Sequence, residues 1–375
     1  MTQEEENDIR IQRQTNGKPT GAMTNGKGNT PQQGTNTRQS NMELLRLISM
    51  MLVLMMHANY FSLGIPCAGD LAAEPLTTVL RVAAEHLSLV GVNVFVLISG
   101  WFGIRPRWQG LAGLLFTVAF LSAATTAVFL AAGLPVNAGA TVLAGAAIGS
   151  AYWFIVAYAG LYILSPVLNA FAESATQRRL ERFLACFFIF EFVYGFATDS
   201  GMFSSGYSII SFAGLYLLAR YARRSTGRWT RLGAGTYIAA YAAIMLTGAA
   251  LYIAIIGLTG HGDGGRLISY TSPFVIAGSL ALVLAFSRIR LQSRAVNSMA
   301  RSCPAVYLIH FHPLVLPFYT ALFSGLYARL GGAAFAAAAA LCLTAIFAGC
   351  IAADRVRLMC WNYVNRRLQS APERS

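Results

Sequence analysis

Two side chains in an otherwise apolar run are spaced to act together. Arg46 and His57 close the segment Arg46-LISMMLVLMM-His57, eleven residues apart. At about 100° per residue, eleven steps make three turns and roughly 20° more, so a helix carries both on one face, about 16 Å apart along its axis. An imidazole titrates near neutral pH and serves as general base or as nucleophile. The plainer reading is that Arg46 snorkels to a membrane boundary and His57 makes a helix–helix hydrogen bond.

Other ionisable groups carry less. His310 and His312 are two residues apart and so about 200° apart around a helix, which argues against a shared metal or catalytic pair. Glu191 sits in an apolar stretch, where it could orient His57 or act as a neutral packing group. His261, in Gly260-His261-Gly262-Asp263, reads as a solvated loop residue. The glycines there and at Gly331-Gly332 read as turns, since no strand precedes them as a phosphate loop requires. Six cysteines (Cys67, Cys186, Cys303, Cys342, Cys350 and Cys360) are scattered singly. None has the paired spacing of a zinc or redox site, so no metal is expected.

The elements that must position these groups follow from composition. Hydrophobic residues make up 56% of the 375, charged ones 11%, and mean hydropathy is +0.54. A soluble domain carries roughly a quarter charged residues, so a soluble enzyme, a disulfide scaffold and a disordered protein are all disfavoured. Residues 1–40, rich in Gln, Asn, Thr and Gly, bury too little apolar surface to offset their ordering entropy and read as a disordered cytoplasmic tail. The acidic start at Glu4, Glu5, Glu6 and Asp8 is not that of a signal peptide.

From Met42 onward, windows of about 20 apolar residues, each long enough to span a bilayer as a helix, follow one another. Ten are expected: Met42 to Leu63, Leu87 to Ile104, Trp108 to Gly133, Ala151 to Ala172, Leu180 to Thr198, Ser208 to Arg220, Gly233 to Leu258, Tyr270 to Ser287, Cys303 to Leu326, and Ala333 to Ala353. Pro75 to His86 reads as a surface-lying helix before the second. The fold class is an all-α polytopic membrane protein, with a transmembrane domain over 41–354 and a basic cytoplasmic tail over 355–375.

Short cytoplasmic loops are enriched in Lys and Arg. With both termini inside, 25 of the 28 cations fall on the cytoplasmic side and only Arg81, Arg266 and Arg329 outside. The net charge of +13 is therefore topological, and no nucleic-acid partner is expected.

The segment Asn41-Met42-Glu43-Leu44-Leu45-Arg46 with its Arg-x10-His spacing resembles the first-helix motif of the acyltransferase family 3 integral membrane acyltransferases. That family's second-helix pattern is matched by Gly91-Val92-Asn93-Val94-Phe95 and Ser99-Gly100-Trp101, and its Arg-x-Arg turn by Arg105-Pro106-Arg107. Tyr152-Trp153-Phe154 through Tyr158 to Ser165-Pro166, and Tyr307-Leu308-Ile309-His310, resemble later segments of the family.

The resemblance implies transfer of an acyl group, usually acetyl from acetyl-CoA, to a hydroxyl of a glycan or lipid-linked sugar at the outer face of the bacterial cytoplasmic membrane. Arg105 and Arg107, with Arg46, are candidates for holding CoA phosphates, because guanidinium forks match phosphate oxygens. His57 is the expected general base, with an acetyl-imidazole intermediate as the alternative. Asn93, Tyr158, Tyr307 and His310 are candidate acceptor-binding or oxyanion donors, with a packing role also open for His310. The competing class is a transporter or flippase for a glycan intermediate, which would not need the Arg105–Arg107 turn.

Overall fold

The computed structural model describes residues 39–146, 152–198, 200–260 and 263–370. The expected N-terminal tail, save Gln39 and Ser40, lies outside the described residues, as do His261 and the last five positions.

The described residues form α-helices and short helical turns, with no strand among them. In chain order the α-helices are α1 (Ser40–Met56), α2 (Ala68–Ala73), α3 (Pro75–Phe102), α4 (Trp108–Ala131), α5 (Ala138–Gly145), α6 (Trp153–Ser174) and α7 (Gln177–Glu191). There follow α8 (Ile209–Arg224), α9 (Ala234–Thr259), α10 (Pro273–Arg288), α11 (Arg294–Ala300), α12 (Cys303–His310), α13 (Leu316–Arg329) and α14 (Gly332–Ser370). Wide π-helical turns continue α1 over His57–Phe61 and α7 over Phe192–Ala197.

Among the described residues, seven helices are long and apolar enough to cross a membrane: Ser40–Phe61, Pro75–Phe102, Trp108–Ala131, Trp153–Ser174, Ala234–Thr259, Gly265–Arg288 and Gly332–Tyr363. The three other expected spans fall on α7 with its π turn, on α8, and on α12 with α13.

Three local features differ from the reading of the sequence. The expected surface helix Pro75 to His86 is the first half of α3, one continuous helix of 28 residues. Pro75 starts it, since its fixed φ suits a first helical position and its missing N–H costs nothing there, and its polar residues Glu85 and His86 are buried. The expected span Cys303 to Leu326 is broken after His310. Pro313 cannot donate a backbone N–H and disfavours helical geometry at His312, and the N–H groups of Val315 and Leu316 turn back onto His312 O, both at 2.8 Å. The last helix does not stop at Ala353 but runs to Ser370. Just past that point, buried Asp354 and Arg357 pair with each other, and Arg357 Nη1 donates to Thr117 Oγ1 of α4 at 3.1 Å.

Pro166 lies inside α6, where it deprives the Tyr162 carbonyl of its helical donor. Ser165 Oγ donates to that carbonyl at 2.7 Å and fills the gap.

The central helix is α3, packed against α1, α8, α9 and α10. Two glycines allow this. A Cβ at Gly91 would stand 2.8 Å from Ser49 O of α1, and one at Gly100 would collide with Tyr216 O of α8. Small residues of this kind are how helices gain dispersion contact in lipid, where no hydrophobic effect drives them together.

The pairings Gly91 with Ser49 and Val53, and Glu85 with Asn59, run in opposite chain directions. Helices α1 and α3 are therefore antiparallel. This register brings the Gly103–Arg107 turn to the Arg46 end of α1 and places His57 toward the opposite end, near Glu85.

Candidate active site

His57 opens the π turn that continues α1 and is buried, 9% exposed. Its ring stacks on Phe311 with centroids 4.7 Å apart and meets the edge of Phe61 at 5.8 Å. Its Nδ1 lies 2.9 Å from Nε2 of His310. The other nitrogen of His310, Nδ1, lies 2.6 Å from Val306 O.

These two contacts fix the protons. A carbonyl only accepts, so His310 Nδ1 carries a hydrogen and donates to Val306. In a neutral imidazole the second nitrogen is then an acceptor. His57 must therefore donate from Nδ1 to His310 Nε2, which leaves the lone pair of His57 on Nε2. The result is an unprotonated nitrogen whose tautomer is set by a second residue, an arrangement that general-base chemistry can use. Both nitrogens of His310 are occupied, so it has no N–H to offer an oxyanion.

His312 lies beyond the end of α12 and points elsewhere. The Leu314 N–H donates to its Nδ1 at 3.2 Å, so its Nε2–H faces Ser122 Oγ, also at 3.2 Å. Glu191, buried at the head of the second π turn beside Ser211, does not orient His57. That place belongs to His310.

Of the remaining candidates, Tyr307 stands closest to the dyad: its ring stacks on Phe311 at 5.8 Å and meets His310 at 6.2 Å. Its hydroxyl is buried without a hydrogen-bond partner. Asn93 Nδ2 donates to Tyr270 O at 3.0 Å, and by the α1–α3 register Asn93 lies level with Met51, about 9 Å below His57 along the axis. Tyr158 shares a hydrogen bond with Ser99 Oγ at 3.1 Å. Neither is brought to His57.

At the other end of the bundle, the turn after α3 is clasped by its backbone. The Ile104 N–H donates to Tyr216 Oη at 2.8 Å, that hydroxyl donates to Asn169 Oδ1 at 2.7 Å, and Asn169 Nδ2 returns a bond to Ile104 O at 2.7 Å. Tyr162 Oη accepts from the Arg107 N–H at 2.8 Å and donates to Arg107 O at 2.9 Å. The Arg105 and Arg107 side chains are exposed, with no partner among the described residues.

Neighbouring cations are already engaged. Arg220 pairs with Glu173 at 3.1 Å, Arg223 donates to Trp101 O, and Arg224 donates to Ala172 O. Arg46 Nη1 donates to Glu43 Oε1 at 3.0 Å, one turn away on α1.

Several residues around His57 escaped the sequence reading. Tyr319 Oη donates to Leu54 O at 2.6 Å, Ser62 Oγ donates to His57 O at 2.6 Å, and Asn59 binds Glu85. Their only sequence signal is polarity inside an apolar run. The His57–His310 bond joins residues 253 apart, and no local pattern announces it.

Membrane-length helices thus hold a buried pair of hydrogen-bonded imidazoles. The model of acyltransferase family 3, described as "Acyltransferase domain", matches residues 39–353. The chain belongs to that family and is a multi-pass membrane acyltransferase. No curated protein and no solved structure matches it.

Proposed function

We propose that the protein moves an acetyl group from cytoplasmic acetyl-CoA to a hydroxyl of an extracytoplasmic glycan, such as exopolysaccharide, O-antigen or capsule, across the bacterial cytoplasmic membrane. The observation that carries this is the free lone pair on His57 Nε2. In the reaction, Nε2 takes the proton of the acceptor hydroxyl as its oxygen attacks the thioester carbonyl. The C–S bond breaks, and the departing CoA thiolate takes that proton back from the imidazolium. His310 Nε2 keeps its bond to Nδ1–H throughout, so the ring stays aimed while its charge changes. Tyr307 Oη is the nearest uncommitted donor for the oxyanion.

The donor binds from the other end. Arg105 and Arg107 hold the CoA phosphates, and the pantetheine arm runs along the α1 face past Arg46 toward His57. Ten spans with both termini cytoplasmic fit this path. The antiparallel register of α1 and α3 supports it, since Arg46 and the arginine turn share one end and His57 lies about 16 Å along the axis from Arg46.

The test is a transfer assay in reconstituted vesicles with labelled acetyl-CoA, with mass spectrometry of host surface glycans in the presence and absence of the protein. Wild type should label a glycan. His57→Ala, at equal membrane abundance, should fall to background, a loss of about 10³-fold or more. Wild-type-like acylation by that variant would remove His57 from the chemistry.

A further inference from the structure

We infer that Glu85 is a positioning residue that fixes the aim of His57 and acts on it through Asn59. The inference rests on the reading of His57 as the reactive base. Glu85 is 2% exposed, buried in α3, in the half that the sequence suggests would lie on a surface. Its Oε2 accepts from Asn59 Nδ2 at 3.0 Å. Asn59 is the third residue of the π turn that His57 opens.

The Asn59 amide is held at both ends by groups of α3. Nδ2 donates to Glu85 Oε2 and to Arg81 O, the latter at 2.8 Å, while Oδ1 accepts from the Arg81 Nε–H at 3.1 Å. Arg81 is itself tied down, with Nη2 donating to Gly64 O at 2.6 Å and its guanidinium over the Tyr327 ring at 5.4 Å. This set of acceptors on Nδ2 and a donor on Oδ1 fixes which way the amide faces and opposes its turning away.

The geometry of the turn explains why such a clamp matters. A π turn carries one residue more than an α turn and is rare without local support. Were this turn to tighten to α, the residues after it would rotate by about 100° relative to the helix before it. Either His57 would leave His310, or Asn59 would leave Glu85. Tyr319 and Ser62 occupy the carbonyls of Leu54 and His57 at the edges of the turn. The Asn59–Glu85–Arg81 set is what ties the turn to α3.

The test uses the full chain in lipid nanodiscs, with transfer kinetics and histidine nitrogen NMR measured on each variant. The chain holds five histidines, and the His57 resonances are those missing from His57→Ala. Asn59→Leu and Glu85→Leu should lower kcat about 10- to 100-fold, the scale of a misplacement of about 1 Å, with KM for acetyl-CoA unchanged. In both, His57 should lose its single Nδ1–H tautomer and show a mixture. Glu85→Gln keeps an accepting oxygen and should recover most of the kcat lost in Glu85→Leu.

An unchanged His57 tautomer in folded Asn59→Leu would overturn the inference, as would a loss of kcat fully explained by a smaller folded fraction. Failure of the wild type to transfer acetyl would defeat the proposed reaction instead, and the tautomer measurement would still decide the clamp.

Discussion

The two ends of the site are built in opposite ways. Around His57 the side chain itself is fixed: its ring stacks on Phe311 and meets Phe61 edge-on, Nδ1 is bonded to His310, and the turn beneath it is pinned by Tyr319, Ser62 and Asn59. At the Arg105–Arg107 turn only the backbone is fixed, by Tyr162, Tyr216 and Asn169, while the two guanidinium groups are free and exposed. The difference suits the two tasks proposed for them. A reacting nitrogen must be held to fractions of an ångström, whereas capture of a charged, flexible nucleotide needs cations that can reach toward it from a firm base.

If the comparison holds, breaking each end should damage a different kinetic constant. At the fixed end, His310→Ala removes the acceptor for His57 Nδ1–H and lets the imidazole choose either tautomer. A fall in kcat of roughly 10²-fold is expected, with KM for acetyl-CoA within twofold of wild type. His310→Gln places an amide oxygen near the same point and should restore part of the loss. Equal kcat in wild type and His310→Ala would show that the dyad is packing alone.

At the free end, replacing Arg105 and Arg107 together by Gln should raise KM for acetyl-CoA about 100-fold or more and weaken inhibition by free CoA, since charge-assisted hydrogen bonds contribute roughly 1.5–3 kcal/mol each. The kcat at saturation and the affinity for the acceptor should hardly move. Direct titration of CoA onto both proteins decides this, and equal binding would sink the donor site. Tyr162→Phe tests the base rather than the cations. It removes both bonds to the Arg107 backbone and should raise the same KM by about three- to tenfold, the scale of one neutral hydrogen bond. A change in kcat without one in KM would break the comparison there.

The sequence shows one of these ends more fully than the other. The run around Arg46 and His57 is readable because lipid demands long apolar segments and makes any polar group within them conspicuous. The arginine turn is readable because two cations close together stand out between long apolar runs. The partner of His57 is not readable, since it comes from a helix 253 residues away and turns on the break that Pro313 puts after it. The start of α3 misleads for a related reason: Arg81, Glu85 and His86 lower its apolar character, yet two of them are buried and the third serves Asn59. Periodicity sees a polar face but not the polar turn that covers it.

The smallest effect is expected from a bond that belongs to neither end. In the loop between the π turn and α3, Asp70 accepts the Cys67 backbone N–H at 2.8 Å and caps the short helix α2. That backbone bond, with a further contribution from the Cys67 side chain, holds the Asp70 carboxyl below the usual carboxylate range. A carboxylate whose folded pKa is depressed stabilises the fold above its unfolded pKa, about 3.9, and loses that contribution as pH falls through the folded value. Asp70→Asn should therefore lower Tm by about 1 °C at pH 7, in keeping with a cap worth about 0.5 kcal/mol. The gap to wild type should stay constant down to about pH 5 and close below about pH 4. Neither kcat nor KM should change, because Thr78, which donates to Asp70 O at 3.0 Å, ties this cap to the first turn of α3 and not to the turn that carries His57. A tenfold loss of kcat in Asp70→Asn would mean that the fixed end reaches into the loop, and the division between a buried, fixed end and an exposed, cationic end would have to be redrawn.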